Sequence, residues 1–319
     1  MEAQAEHKTP IGVVTVARAV LMVAPNTFAF DVETAETNAF QHKARATAPA
    51  VTARAMAEYT AVRQALKDFG VDVVAYAHER GTYRPNAVFP NNWMTTWPDG
   101  KVFIYPMAHA SRRTERMSAV IDEIGRRYRV ATVRDLSGYE RTGHYLEGTG
   151  AIVFDHRNKI GYACRSPRCD ASLFVEHMRE IDYEPVLYDA QGPDGSAVYH
   201  TNVMMGIQQS TAVICLAAIR DPTERKLVRE TLERSGHEVI DITFEQLNAY
   251  CGNLIQLRNS DGRTGLLISR SAHDSFQTRQ LDILKRDSEL IVVPVPTIQE
   301  VGGGSVRCMV AEIFLPERA

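Results

Sequence analysis

Asn202-Val203-Met204, the turn Gln208-Gln209-Ser210, the run Ala212–Leu216, the stretch Pro222–Ser235 and the run Glu238–Ile242 together spell one β-β-α-β unit. Each piece is readable from local chemistry. Polar turn residues between two β-prone runs signal a hairpin. Asp221 is a good helix N-cap, and Pro222 suits the first helical position, where no amide hydrogen is needed. The closing run is β-branched and apolar, as a returning strand should be.

The same order recurs along the chain. Leading segments begin at Asn92, Gly150, Asn202, Asn253 and Ser305, spaced by 58, 52, 51 and 52 residues. Turns follow at Pro98-Asp99-Gly100, His156-Arg157-Asn158 and Asn259-Ser260-Asp261-Gly262, and returning strands at Val102–Tyr105, Ile160–Ala163 and Gly265–Ser269. Helices are expected over Arg112–Tyr128, Asp170–Ile181 and His273–Lys285, then strands at Val130–Val133, Glu184–Leu187 and Leu290–Val295. The fifth unit is split. Its half-hairpin is Ser305–Leu315, and its remaining parts lie early in the chain: Val20–Val23, Thr52–Phe69 and Val71–Ala77. Joining them closes a ring. The expected fold is α/β: a five-bladed, pseudo-fivefold β/α propeller of ββαβ modules, one domain over 18–319, with 1–17 a loosely held arm. A doubly wound α/β sheet is the alternative.

Composition narrows the function. The chain has 45% apolar and 24% charged residues and a formal net charge of -3, so nothing electrostatic invites nucleic acid or an acidic membrane. No apolar run reaches the roughly 18 residues of a membrane span, and the first ten residues lack the pattern of a secretion signal. A cytoplasmic protein is expected. Five cysteines in a long chain fit reduced thiols better than a disulfide framework.

The repeat register gathers reactive residues. Cys308 lies three residues after Ser305, behind Gly302-Gly303-Gly304; His200 lies two before Asn202; Glu147 lies three before Gly150; Asn91 and Asn92 open the first segment. Equivalent positions around a ring converge on one mouth, at the same end of their strands. A cysteine, a histidine and a carboxylate meeting there is the set that covalent catalysis needs. Cys251, beside Gly252-Asn253, is the candidate for a second thiol in the cleft. Cys164 and Cys169 lack histidines at ligand spacing, so no metal is expected. The basic stretch Arg112-Arg113-Thr114-Glu115-Arg116 reads as a solvated helix face.

Leu146-Glu147-Gly148, His200-Thr201-Asn202 and Gly303-Gly304-Ser305-Val306-Arg307-Cys308-Met309 resemble the guanidine-modifying superfamily: arginine deiminases, dimethylarginine hydrolases and amidinotransferases. Phe89-Pro90-Asn91-Asn92-Trp93 and the segment from Phe28 through Glu33-Thr34-Ala35 to Asn38-Ala39-Phe40-Gln41 resemble its citrulline-utilisation hydrolase branch. The resemblance spans about residues 18 to 316 and implies the five-bladed pentein fold. It implies Cys308 as nucleophile, His200 as proton carrier and Glu147 as the group orienting the substrate's nitrogen end. No cofactor and no metal are implied. The implied partner is a small amino acid, and a homodimer is left open. Asn91, Asn92, Asn202, Gly304 and Arg307 are the expected substrate contacts, with Arg84 and Arg141 as further candidates for its carboxylate.

Arginine deiminases place carboxylates where this chain has Asn92 and Asn202. Neutral amides there remove the partners of a guanidinium cation and suit an uncharged ureido group, which offers both donors and an acceptor. The expectation is hydrolysis of citrulline to ornithine, carbon dioxide and ammonia. Arginine deimination, dimethylarginine hydrolysis and amidino transfer are the enzymatic alternatives; a non-catalytic five-bladed binding protein is the alternative of another class.

Overall fold

A computed structural model describes residues 15–79 and 81–318. The arm expected over 1–17 lies largely outside the described residues. Its last two members do not behave as an arm: Val16 and Ala17 are buried, and the Ala17 carbonyl accepts a hydrogen bond from Arg258 N at 2.9 Å.

Among the described residues fifteen strands form five three-stranded sheets. β1 (Ala19–Val23) pairs in parallel with β2 (Asp72–Tyr76). The second sheet holds β3 (Met94–Thr96), β4 (Lys101–Ile104) and β5 (Thr132–Asp135); the third holds β6 (Ile152–Asp155), β7 (Ile160–Cys164) and β8 (Glu184–Tyr188). The fourth holds β9 (Met205–Ile207), β10 (Thr211–Ile214) and β11 (Glu238–Asp241); the fifth holds β12 (Ile255–Arg258), β13 (Thr264–Ser269) and β14 (Glu289–Val293). β15 (Ala311–Ile313) returns to pair antiparallel with β1, Ala19 facing Ile313. The pairing rule is uniform: an antiparallel hairpin, then a parallel third strand reached through helix. The split unit is rebuilt as read, from strands of both ends of the described chain.

The helices cover these sheets for a plain reason: each has one apolar stripe. In Ala48–Phe69 the buried residues Val51, Ala55, Tyr59, Val62, Leu66 and Phe69 recur at helical spacing. Asp170 and Asp221 act as N-caps, accepting from backbone amides of the first turn. Two expected helices are each broken in two. Arg112–Tyr128 resolves into Ala110–Arg113 and Ser118–Gly125, because Arg112 and Glu115 turn inward and the chain bends between them. His273–Lys285 resolves into Arg270–Ser275 and Thr278–Asp287, restarted by a capping box between Gln277 and Gln280.

Consecutive sheets are tied to one another by short polar bonds. Thr96 Oγ1 donates to the Glu312 carbonyl at 3.0 Å, and Thr149 Oγ1 to that of Asn91 at 3.3 Å. Thr201 Oγ1 donates to the Ala151 carbonyl at 2.6 Å, and Asn253 Nδ2 to the Asn202 carbonyl at 3.0 Å. The Arg258–Ala17 bond joins the fifth sheet to the first. The leading segments are not strand starts. Pro90–Asn92, Gly148–Ala151 and Thr201–Met204 are single helical turns placed just before β3, β6 and β9. Ser305 to Cys308 is likewise a turn, closed by Cys308 N donating to the Ser305 carbonyl at 2.9 Å.

Candidate active site

The register brings the turns together at one end of the inner strands. A narrow cleft of about 270 Å³ opens there, and Cys308, His200, Asn92, Arg112, Arg168 and Gly304 are among its lining residues. Cys308 stands on the Ser305 turn, 3% exposed. The glycines before it have a specific task. The helix Pro296–Gly302 stops at Gly303, whose φ of 63° is left-handed. The reversal throws the chain back toward the cleft.

Two side-chain amides sit against the sulfur. Asn253 Nδ2 lies 3.2 Å and Asn202 Nδ2 3.5 Å from Cys308 Sγ. Asn202 Nδ2 also donates to the Thr149 carbonyl at 2.9 Å. Asn202 therefore stands behind the nucleophile, with its amide committed to backbone and sulfur. This corrects its expected place as a substrate contact.

His200 Nε2 lies 2.8 Å from Glu147 Oε2. Burial pulls the imidazole down to about 4; the hydrogen bond and charge of Glu147 oppose that, and the charges of Arg168 and Arg112 reinforce it. Burial alone would raise the Glu147 carboxyl. The Arg168 charge, the His200 hydrogen bond and Arg112 outweigh it, so the carboxyl lies far below its ordinary range. A neutral imidazole facing an ionised carboxylate must carry its hydrogen on Nε2, which leaves Nδ1 as a proton acceptor. Glu147 is itself 0% exposed and also accepts from Ala108 N at 3.1 Å. It holds the imidazole from beneath.

Two guanidinium groups complete the cleft, and the sequence reading missed both. Arg112, 2% exposed, is the opposite of the solvated residue expected. Its Nε and Nη2 bind the Glu115 carboxylate at 2.9 and 2.8 Å, and Nη1 donates to Asn92 Oδ1 at 2.7 Å. Burial disfavours the Arg112 charge, but the charge and hydrogen bonds of Glu115 more than compensate, so it stays protonated. Arg168 lies 4.9 Å above the Tyr199 ring and donates to the Thr34 carbonyl at 2.9 Å. Both guanidiniums come within 3.6 Å of Glu147. The early segment roofs the cleft: Asn38 Nδ2 donates to the Gly303 carbonyl at 3.3 Å and Gln41 Nε2 to that of Val301 at 3.1 Å.

Other expectations need correction. Arg307 does not face the cleft. Adjacent residues of a tight turn point apart, and its guanidinium binds Glu312 Oε2 at 2.8 Å and the Val310 carbonyl at 3.2 Å. Asn91 is fully buried beside the Thr149 turn, and its side-chain amide finds no partner among the described residues. Arg84 is occupied by the Thr114 carbonyl at 2.7 Å, and Arg141 lies exposed on the turn Ser137–Thr142. Cys251 is a core residue: its thiol donates to the Ala272 carbonyl at 3.4 Å, and burial pushes it up to about 12. All five thiols are free and buried. Among the described residues no group of histidine, cysteine and carboxylate side chains is placed to hold a metal, and no helix is long and apolar enough to cross a membrane. Asn253 was within reach of the sequence, since it occupies the position of Asn202 in the next unit. For Arg112 and Arg168 no local signal exists.

No curated protein sequence matches the chain significantly. Solved structures share its fold. The N-terminal domain of ArgZ, an arginine dihydrolase from the ornithine-ammonia cycle in cyanobacteria, was solved as a cysteine-to-serine variant bound to substrate; it is 14% identical with a TM-score of 0.71, over 93% of this chain and 99% of that one. AgrE in complex with ornithine and NAD+ is 15% identical with a TM-score of 0.72, over 94% of this chain. This chain spans only about 40% of full-length ArgZ or AgrE. A dimethylarginine dimethylaminohydrolase adduct with S-methyl-L-thiocitrulline is 15% identical with a TM-score of 0.62, over 93% of this chain and 99% of that one. The model of the family described as N,N dimethylarginine dimethylhydrolase, eukaryotic, matches residues 24–315, and the chain belongs to that family of guanidine-modifying hydrolases, which act on carbon–nitrogen bonds other than peptide bonds.

Proposed function

We propose that the chain hydrolyses the ureido group of citrulline, with Cys308 as nucleophile. One observation carries this: Cys308, the His200–Glu147 pair and the neutral Asn92 share a single buried cleft. The buried charges around it are two guanidiniums, Arg112 and Arg168, and three carboxylates, Glu115, Glu147 and Asp31, with Glu115 and Glu147 paired to the guanidiniums and Asp31 bonded to Asn86. Among the described residues no carboxylate lines the cleft itself, so a cationic guanidinium finds no anion in contact there, whereas an uncharged ureido group needs none.

His200 Nδ1 takes the proton of the Cys308 thiol, the sulfur adds to the ureido carbon, and the oxyanion is met by fixed donors of the glycine turn and by Asn92. His200 passes a proton to the departing δ-nitrogen, releasing ornithine and leaving a carbamoyl group on sulfur. Water, deprotonated by His200, then frees the thiolate. The carbamate released falls apart to carbon dioxide and ammonia, so one citrulline and one water give one ornithine, one carbon dioxide and one ammonia.

A second reading takes arginine or a methylated arginine as substrate. The family and the likeness to arginine dihydrolases support it. On this reading Glu147 would be the one carboxylate available to the guanidinium.

The ties between consecutive sheets, including the Arg258–Ala17 bond, support a closed pseudo-fivefold ring around this cleft.

Product analysis separates the substrates. Ornithine and ammonia from L-citrulline, with nothing from L-arginine, is the expected result. Activity on arginine and none on citrulline would replace the first reading with the second.

A further inference from the structure

A second cleft opens to solvent at the other end of the inner strands, about 650 Å³ with the solvent at its mouth included. Arg307 and Glu312 line it as a pair, 2.8 Å apart, with side chains 11% and 16% exposed. Gln208 also lines it. Its side chain is 1% exposed, yet among the described residues neither Nε2 nor Oε1 has a partner. The neighbouring Gln256 spends its amide fully, accepting from Gln209 N at 3.0 Å and donating to Ser288 Oγ at 2.9 Å. A buried amide without partners is destabilising, and a leucine of similar volume would avoid that cost. Among the described residues Gln208 is thus a polar group that no protein partner uses.

We propose that this cleft is a second ligand site, for a small zwitterionic amino acid bearing a side-chain amide or ureido group, and that its occupancy is felt at Cys308. Gln208 offers one donor and one acceptor, the complement of an amide or ureido end. The Arg307–Glu312 pair offers a cation for the ligand carboxylate and an anion for its ammonium. The route to the nucleophile is short. Arg307 N donates to Asn253 Oδ1 at 3.1 Å, and Asn253 Nδ2 donates to Cys308 Sγ at 3.2 Å. A carboxylate that draws Arg307 away from Glu312 acts on the turn that carries Cys308.

L-Glutamine is the probe, because it has an amide and a zwitterionic head but no carbon between two nitrogens for Cys308 to attack. Calorimetry on the full chain is expected to give one glutamine per chain. Affinity should fall by about tenfold or more in Gln208→Leu and in Glu312→Gln, where bonds to the ligand are lost, and stay unchanged in His200→Gln. Alkylation of Cys308 by iodoacetamide should change by about threefold or more on adding glutamine, and show no response in Gln208→Leu. A melt of Gln208→Leu at or above wild type separates lost binding from unfolding. No binding, or equal binding in Gln208→Leu, overturns the proposal. So does binding that disappears in His200→Gln, which puts the ligand in the Cys308 cleft. Binding without any change in alkylation overturns the coupling. None of these readouts uses turnover, so a failure of the hydrolase reading would be seen separately.

Discussion

One side-chain nitrogen of Asn253 faces both the Asn202 carbonyl, at 3.0 Å, and the sulfur of Cys308, at 3.2 Å. Its oxygen is held by Arg307 N. The amide cannot rotate without losing all three contacts, so a hydrogen is fixed toward the nucleophile.

Asn253→Asp preserves shape but replaces the donor with a carboxylate set against sulfur and carbonyl oxygen. Alkylation of Cys308 by iodoacetamide at pH 7 should slow by about tenfold or more. A native fold with an unchanged rate would show that the Asn253 contact does not govern the reactivity of the sulfur.

The Arg112–Glu115 pair is buried on both sides, 2% and 1% exposed. Glu115→Leu strands the guanidinium and should cost about 3–5 kcal/mol in urea unfolding. The double variant Arg112→Met/Glu115→Leu should recover most of that stability yet lose turnover, since Asn92 and Glu147 lose their neighbour. Additive losses in the cycle would show the two side chains to be independent.

Gly150 is pressed against the site. A Cβ there would meet Asn92 Nδ2 and lie 2.7 Å from the His200 ring. Gly150→Ala should therefore cost about 1–3 kcal/mol from overpacking and displace the imidazole, so kcat falls along with stability. Wild-type kcat in the variant would mean that the ring has room to move.

The pH dependence has a definite sign. His200 is held down to about 4, below the ordinary 6.5, so between those values the unfolded chain binds the extra proton. Its contribution is complete above pH 6.5 and is lost as pH falls toward 4. At about 1.4 kcal/mol per unit, that is on the order of 3 kcal/mol. Other buried histidines shift the same way, so the measurement is a difference: His200→Gln should show a shallower loss of stability from pH 6.5 to 4 than wild type. Parallel curves would mean that His200 titrates alike in both states.

What was legible beforehand divides by range. Glu147, His200 and Cys308 lie far apart in the chain, but repetition supplies a register, and the register finds them. Asp170 and Asp221 are legible because a cap is a local event. Arg112 is not: its i,i+3 pairing with Glu115 is local and reads the same on a solvated helix face, while the Asn92 and Glu147 contacts that place the pair inside come from distant segments. A basic helix start looks the same whether its partner is water or a distant carboxylate. Arg307 failed for a finer reason: proximity in sequence to Cys308 says nothing about which side of a turn a side chain leaves from.

The pairing of β15 with β1 bears on the protein's history within each molecule. β1 is made early and β15 after all fourteen other strands. A growing chain therefore carries one unpaired sheet edge until β15 is made, an edge open to pairing with other chains. Cys308 stands immediately before β15, so the nucleophile reaches its cleft only when the waiting edge is filled. Reactivity of that thiol is in effect a clock for completed folding.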